Sequence, residues 1–190
     1  GTNSSIIEVG TLVLVIVIII FILAGPGKSF TNIFSSGPGK ETKNSFTSLS
    51  TAVEQTLENK KPYLVPFFVE GKYALVFFKE NQQKAGDFTA PTQCALLNCL
   101  AVCEKKDCKA LSYKVYGSEY KEVNFATNTK DGVLIPLGEQ GIHNLYIFYD
   151  SNKNELSINT ETSEIKSRYD FFINGFGGGS SGGAGASGSF

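Results

Sequence analysis

The side chains able to do chemistry in this 190-residue chain are four cysteines, one histidine and a lone carboxylate beside an apolar run. Cys94, Cys99, Cys103 and Cys108 follow a C-x4-C-x3-C-x4-C pattern. Thiols this close either hold a metal or form two disulfides. Structural zinc sites use cysteine pairs separated by a longer stretch. This cluster is too compact for that, and the sole histidine, His143, is distant in sequence. The pattern therefore points to two disulfides and to an oxidising compartment. Three pairings are open to four cysteines. The expectation is a nested one, Cys94 with Cys108 around Cys99 with Cys103, stapling a short excursion between strands. The C-x-x-C redox spacing is absent.

A Ser-His-Asp arrangement would have to use His143, which in GIHNLY reads as a surface or edge-strand residue. GPGKS at 25–29 lacks the earlier glycine that a phosphate-cradling loop requires. The acidic residues are scattered through turns and strands, as solvation explains. The sequence thus predicts no catalytic residue, no cofactor and no metal. Seventeen basic against 18 acidic residues leave a net charge of -1, without the basic excess of a nucleic-acid binder.

The carboxylate is Glu8, the only charge among residues 1–24. The run after it, VGTLVLVIVIIIFILA at 9–24, has no amphipathic period, so it does not suit the surface of a soluble domain. As a helix over 6–24 it would reach roughly 28 Å, the thickness of a bilayer's hydrocarbon core. Gly25, Pro26 and Gly27 stop it, and Lys28 follows. The chain contains no Met, so Gly1 is expected to be a processed N-terminus. No basic cluster precedes the run to fix an orientation, as it would for an ordinary anchor. A lone carboxylate at its entrance is costly unless paired. A neighbouring subunit's N-terminal amine would pair with it.

The segment resembles the mature N-terminus of the type IV pilin superfamily, above all its archaeal pilin and archaellin branch. Val9, Gly10, Thr11, Leu12 and Val13 are similar to the Gly-Thr-Leu-hydrophobic stretch of archaellins. The likeness covers about the first 25 residues. It implies an extracellular filament subunit, held in the membrane before assembly and then packed against copies of itself. Glu8, Leu12, Val15, Ile18, Ile19 and Ile22 are the residues it implies for polymerisation. The alternative is a monomeric, single-span surface protein that binds or adheres to an unidentified ligand.

The elements around these residues follow from pattern. GPGK occurs at 25–28 and again at 37–40, and each copy reads as a bend in a linker. Phe46, Leu49, Val53 and Leu57 have helical spacing. Residues 63–69 and 73–79 read as a hairpin. Further strands are expected at 111–116, 120–125, 132–137, 142–150 and 155–159, with a turn at 151–154. Residues 177–190 are Gly, Ser and Ala, closed by Phe190; as an isolated tail they read as disordered, and in an assembly they are expected to lie extended on the next subunit with Phe171, Phe172, Phe176 and Phe190 as anchors. The predicted fold is α+β: a long N-terminal hydrophobic helix (1–24), the linker (25–40), an antiparallel, sandwich-like β domain (41–176) and the tail (177–190).

Overall fold

The computed structural model describes residues 39–175. The chain divides into two units, Gly1–Lys40 and Glu41–Phe190. The helix expected over 6–24 lies outside the described residues. Among the described residues no helix is long and apolar enough to cross a membrane. The described residues instead form two α-helices and ten strands. One of the two four-stranded sheets is mixed, not antiparallel throughout. The predicted architecture is corrected on both counts.

The first helix, α1 (Lys40–Asn59), starts directly after Gly39, whose φ of 81 suits glycine. Phe46, Leu49, Val53 and Leu57 recur every three or four residues, and Ala52 and Thr56 fill the same face; all are buried. The helix exceeds the apolar pattern at its start because its first turns are polar and carry no periodic signal. It ends in a left-handed residue, Lys60 (φ 59), whose N–H returns to the Thr56 carbonyl at 2.9 Å.

Ten strands follow: β1 (Tyr63–Val69), β2 (Ala74–Phe78), β3 (Lys84–Ala85), β4 (Phe88–Thr89), β5 (Asn98–Cys103), β6 (Ala110–Tyr116), β7 (Asn124–Thr127), β8 (Val133–Ile135), β9 (Gly141–Asp150) and β10 (Glu155–Thr160). The first sheet has the order β1-β9-β10-β7, and the second β6-β5-β2-β8. β7 runs parallel to β10, while the other pairings are antiparallel. The hairpin expected from 63–69 and 73–79 does not form. β1 pairs with β9, whereas β2 lies between β5 and β8 in the other sheet. The burial patterns explain the separation. Every residue of β2 is buried, so it needs neighbours on both edges and cover on both faces. β1 instead alternates along its length, as an edge strand can.

The main core joins one face of each sheet to α1. Val65, Phe67, Leu75, Phe77, Leu100, Val102, Leu145, Ile147, Leu156 and Ile158 meet Leu49, Val53 and Leu57 there. A second cluster lies on the opposite face of the second sheet, where Ala74, Val76 and Phe78 meet Ala85, Phe88 and the four cysteines. The alternation of β2 side chains divides the two cores.

α1 also covers the outer edge of β1. The N–H of Phe68 donates to Ser45 Oγ and that of Glu70 to Thr42 Oγ1, both at 3.1 Å. Pro66 shares their parity, so the ring replaces an N–H that would point away from β9. At the other sheet, Lys114 of β6 pairs with Glu54 of the same helix.

Gly132 is the tightest backbone point. Its φ is +81, and a Cβ there would meet the Phe77 carbonyl oxygen at 2.4 Å. Its own carbonyl accepts the Phe77 N–H at 2.8 Å. Gly132→Ala is expected to lower stability by about 2–4 kcal/mol, adding backbone collision to left-handed strain. Gly138→Ala (φ +93, with nothing within 4 Å of the added Cβ) should cost only about 1–2 kcal/mol. Urea midpoints of the two variants measure the difference, and equal values would refute it.

Candidate functional site

The residues expected to polymerise, Glu8, Leu12, Val15, Ile18, Ile19 and Ile22, lie outside the described residues. Residues 94–108 are described and depart from expectation. They form no excursion between strands, because Asn98–Cys103 is β5, an interior strand buried from Cys99 onward. The disulfides are sequential, Cys94 with Cys99 and Cys103 with Cys108, at Cα separations of 5.2 and 4.5 Å. The nested pairing fails on strand geometry. Cys99 and Cys103 are four residues apart on one extended strand, or about 13 Å. A disulfide spans at most about 7 Å between Cα atoms. Each end of β5 is instead tied to the chain entering or leaving it, which holds the β3–β4 layer over the second core.

His143 also departs from expectation. It sits on β9 opposite β1, beyond the last β10 pairing (Thr160 with Leu145), and it is not fully exposed. It is half-buried opposite Phe67, and its Nε2 has no partner among the described residues. Among the described residues no three His, Cys, Asp or Glu side chains come together to hold a metal.

The unexpected element is the second helix, α2 (Ser163–Gly175), laid on the outer face of the first sheet. Thr162 caps it, its Oγ1 accepting the Ile165 N–H at 3.2 Å. Ile165, Tyr169 and Phe172 are its half-buried side chains. Tyr169 stands edge-on to Tyr146 at 5.4 Å between centroids, and Phe172 is tilted against Phe148 at 6.0 Å. The Arg168 guanidinium lies 4.6 Å from the Phe148 ring centre.

At the start of this layer Glu161 accepts hydrogen bonds from Asn144 Nδ2 and Tyr146 Oη, each at 2.8 Å. Asn144 and Tyr146 are alternate residues of β9 and so share the outer face. The Asn144 bond first, then the Tyr146 bond, holds the Glu161 carboxyl below its ordinary range. The Tyr146 hydroxyl is pushed up to about 12, chiefly by burial and next by donating to Glu161.

Where the end of α2 meets the end of α1, an aromatic groove of about 620 Å³ opens, lined by Lys60, Tyr63, Phe148, Tyr149, Phe172 and Ile173. Hydrogen bonds fix its walls: Asn59 Nδ2 donates to Tyr63 Oη at 2.7 Å, and Tyr149 Oη donates to Asn154. Lys60 Nζ stands 3.7 Å from the Tyr149 ring centre. The chemistry on offer is binding, with apolar ring faces and a cation held at the rim. A signal for this surface is present in the sequence, the Thr162, Ile165, Tyr169, Phe172 spacing, but residues this polar overall read as a loop.

Two outcomes test this description. Replacing Cys103 and Cys108 together by Ser should cost about 2 kcal/mol from the loop-closure term of so short a ring, read from urea unfolding. The second concerns pH. The lowered Glu161 carboxyl contributes stability above its ordinary range, lost as pH falls through its folded-state value. The raised Tyr146 hydroxyl contributes fully below about pH 10, and its share is lost as pH rises from there toward about 12. Tyr146→Phe should flatten the alkaline limb and weaken the acid one. Unchanged limbs in a plot of urea midpoint against pH would exclude the network.

Comparison of the chain with protein-family models, with curated proteins and with solved structures finds no match.

Proposed function

We propose that this chain is a structural subunit of an extracellular, pilus-like filament that polymerises through its N-terminal apolar segment. The observation that carries the reading is the run at 9–24, with Glu8 the only charge among residues 1–24. Such a segment requires a dry environment, and two are available to it. Lipid serves before assembly, and equivalent segments of neighbouring copies serve afterwards. Identical contacts repeated along a polymer make the second state stable although each contact is small. Glu8 is then paired by a neighbour, which removes the cost of a lone buried carboxylate. The likeness to archaeal pilins and archaellins in 9–13 supports the same reading.

The outer part of such a subunit has to withstand an oxidising exterior, and two disulfides beside β5 suit that compartment. In this reading the domain forms the sheath and has no enzymatic role, cofactor or nucleic-acid partner. The aromatic groove favours a second reading, a monomeric membrane-anchored surface protein that binds a ligand there.

Val15→Asp and Ile18→Asp are each expected to abolish filaments while leaving the domain at 39–175 folded. Electron microscopy of sheared surface material reads the first effect, and circular dichroism of detergent-solubilised chain the second. Filaments of normal number and length from Val15→Asp would overturn the proposal. Material soluble only in detergent and monomeric in the unsubstituted chain would favour the second reading.

A further inference from the structure

We propose that the aromatic groove is the docking site of the chain's own 177–190 segment, with the Phe190 ring as the inserted group. This inference does not rest on the filament reading. It starts from apolar surface left open at the end of α2. Phe171 is 75% exposed and Ile173 51%, beside a groove whose walls are already held by hydrogen bonds. A preformed aromatic cleft of about 620 Å³ suits one aromatic side chain with the backbone beside it. Lys60 Nζ is placed over one ring of the wall and adds attraction for a second π-face entering beside it.

The occupant follows from the chain. Residues 177–189 are all Gly, Ser or Ala. Phe190 is therefore the only large apolar side chain from 177 to 190. The segment carries no charge that Lys60 or Arg168 would repel. A Gly/Ser-type chain of this length spans on average about 20 Å. Phe172 and Ile173, which line the groove, lie within one helical turn of Gly175, two residues before the segment. The return is therefore short enough to be made within one molecule. The small residues let the backbone lie close against the ring faces.

The chain contains no Trp, so Phe190→Trp places a single indole at the proposed contact. Fluorescence of the full chain in detergent micelles is the measurement. The expected result is blue-shifted emission with reduced acrylamide quenching, unchanged on tenfold dilution. Ile173→Asp in the same background should return the emission to that of a solvated indole. Circular dichroism checks that this variant, altered at a half-exposed position, remains folded. Leu96→Asp, at another exposed apolar residue remote in sequence, should leave the emission blue-shifted. Solvated emission from Phe190→Trp alone would overturn the proposal. So would a blue shift that survives Ile173→Asp, which places the indole elsewhere, in the micelle for example. A blue shift lost on dilution would assign the occupant to a second copy and overturn docking within one chain.

Discussion

The edge of β1 is the constraint on which the rest of this domain depends. A four-stranded sheet has two edges, and each presents backbone N–H and C=O groups that pair with any extended chain they meet. Along β1 and the residue after it, three successive outward positions are neutralised. Pro66 has no N–H to offer, and Phe68 and Glu70 donate to the hydroxyls of Ser45 and Thr42. Both hydroxyls belong to α1, whose neighbouring positions carry the apolar side chains of the core. The helix therefore closes an edge and fills the interior at once. Its position next to β1 also explains why β2, which follows after a short turn, joins the other sheet. β1 has β9 on one side and α1 on the other, so no edge is left for a hairpin partner.

Once α1 joins the two sheets, each sheet still has an outer face to cover, and the chain does so by two different means. Behind the second sheet the cover is thin: a pair of two-residue strands, short turns and two disulfides. Covalent ties at both ends of β5 add to the packing of the second core there. Behind the first sheet the cover is α2, which packs through aromatic rings on Tyr146 and Phe148. Its first turn is held by the Thr162 cap, close to the network of Glu161, Asn144 and Tyr146. Layers of this kind leave function to their margins. The groove opens where α2 runs out and the end of α1 begins, and Tyr63, Tyr149 and Phe172 stay only half-buried there because neither helix extends far enough to cover them.

The legible parts of this fold were those whose own sequence reports their surroundings. α1 was readable from the Phe46, Leu49, Val53, Leu57 spacing, and β6, β8, β9 and β10 from apolar runs bounded by turns. The turn between β9 and β10 could be read from Ser151, Asn152, Lys153 and Asn154, and Asp150 Oδ1 accepts the N–H groups of Asn152 and Lys153. α2 was not legible. Its packed face is one narrow line of half-buried Ile165, Tyr169 and Phe172, and its exposed residues include Phe171 and Ile173, so no clean amphipathic contrast exists. β5 was obscured by its cysteines, whose spacing drew attention to bonding while the apolar Leu100, Ala101 and Val102 between them marked a strand.

What the sequence determined by itself is local. The uncharged run at 9–24 with Glu8 at its entrance, the cysteine chemistry and most strand positions depend on residue types within a few positions of one another. Tertiary structure decided the rest: which strands pair, that β7 runs parallel to β10, which cysteines meet, and that a polar-looking segment becomes the helix bordering the aromatic groove. These depend on which surfaces are left uncovered after other elements have packed. The distance between Cys99 and Cys103 shows the physical reason. Four residues of spacing permit a disulfide across a turn and forbid one along a strand, and only pairing with β2 and β6 makes those residues a strand.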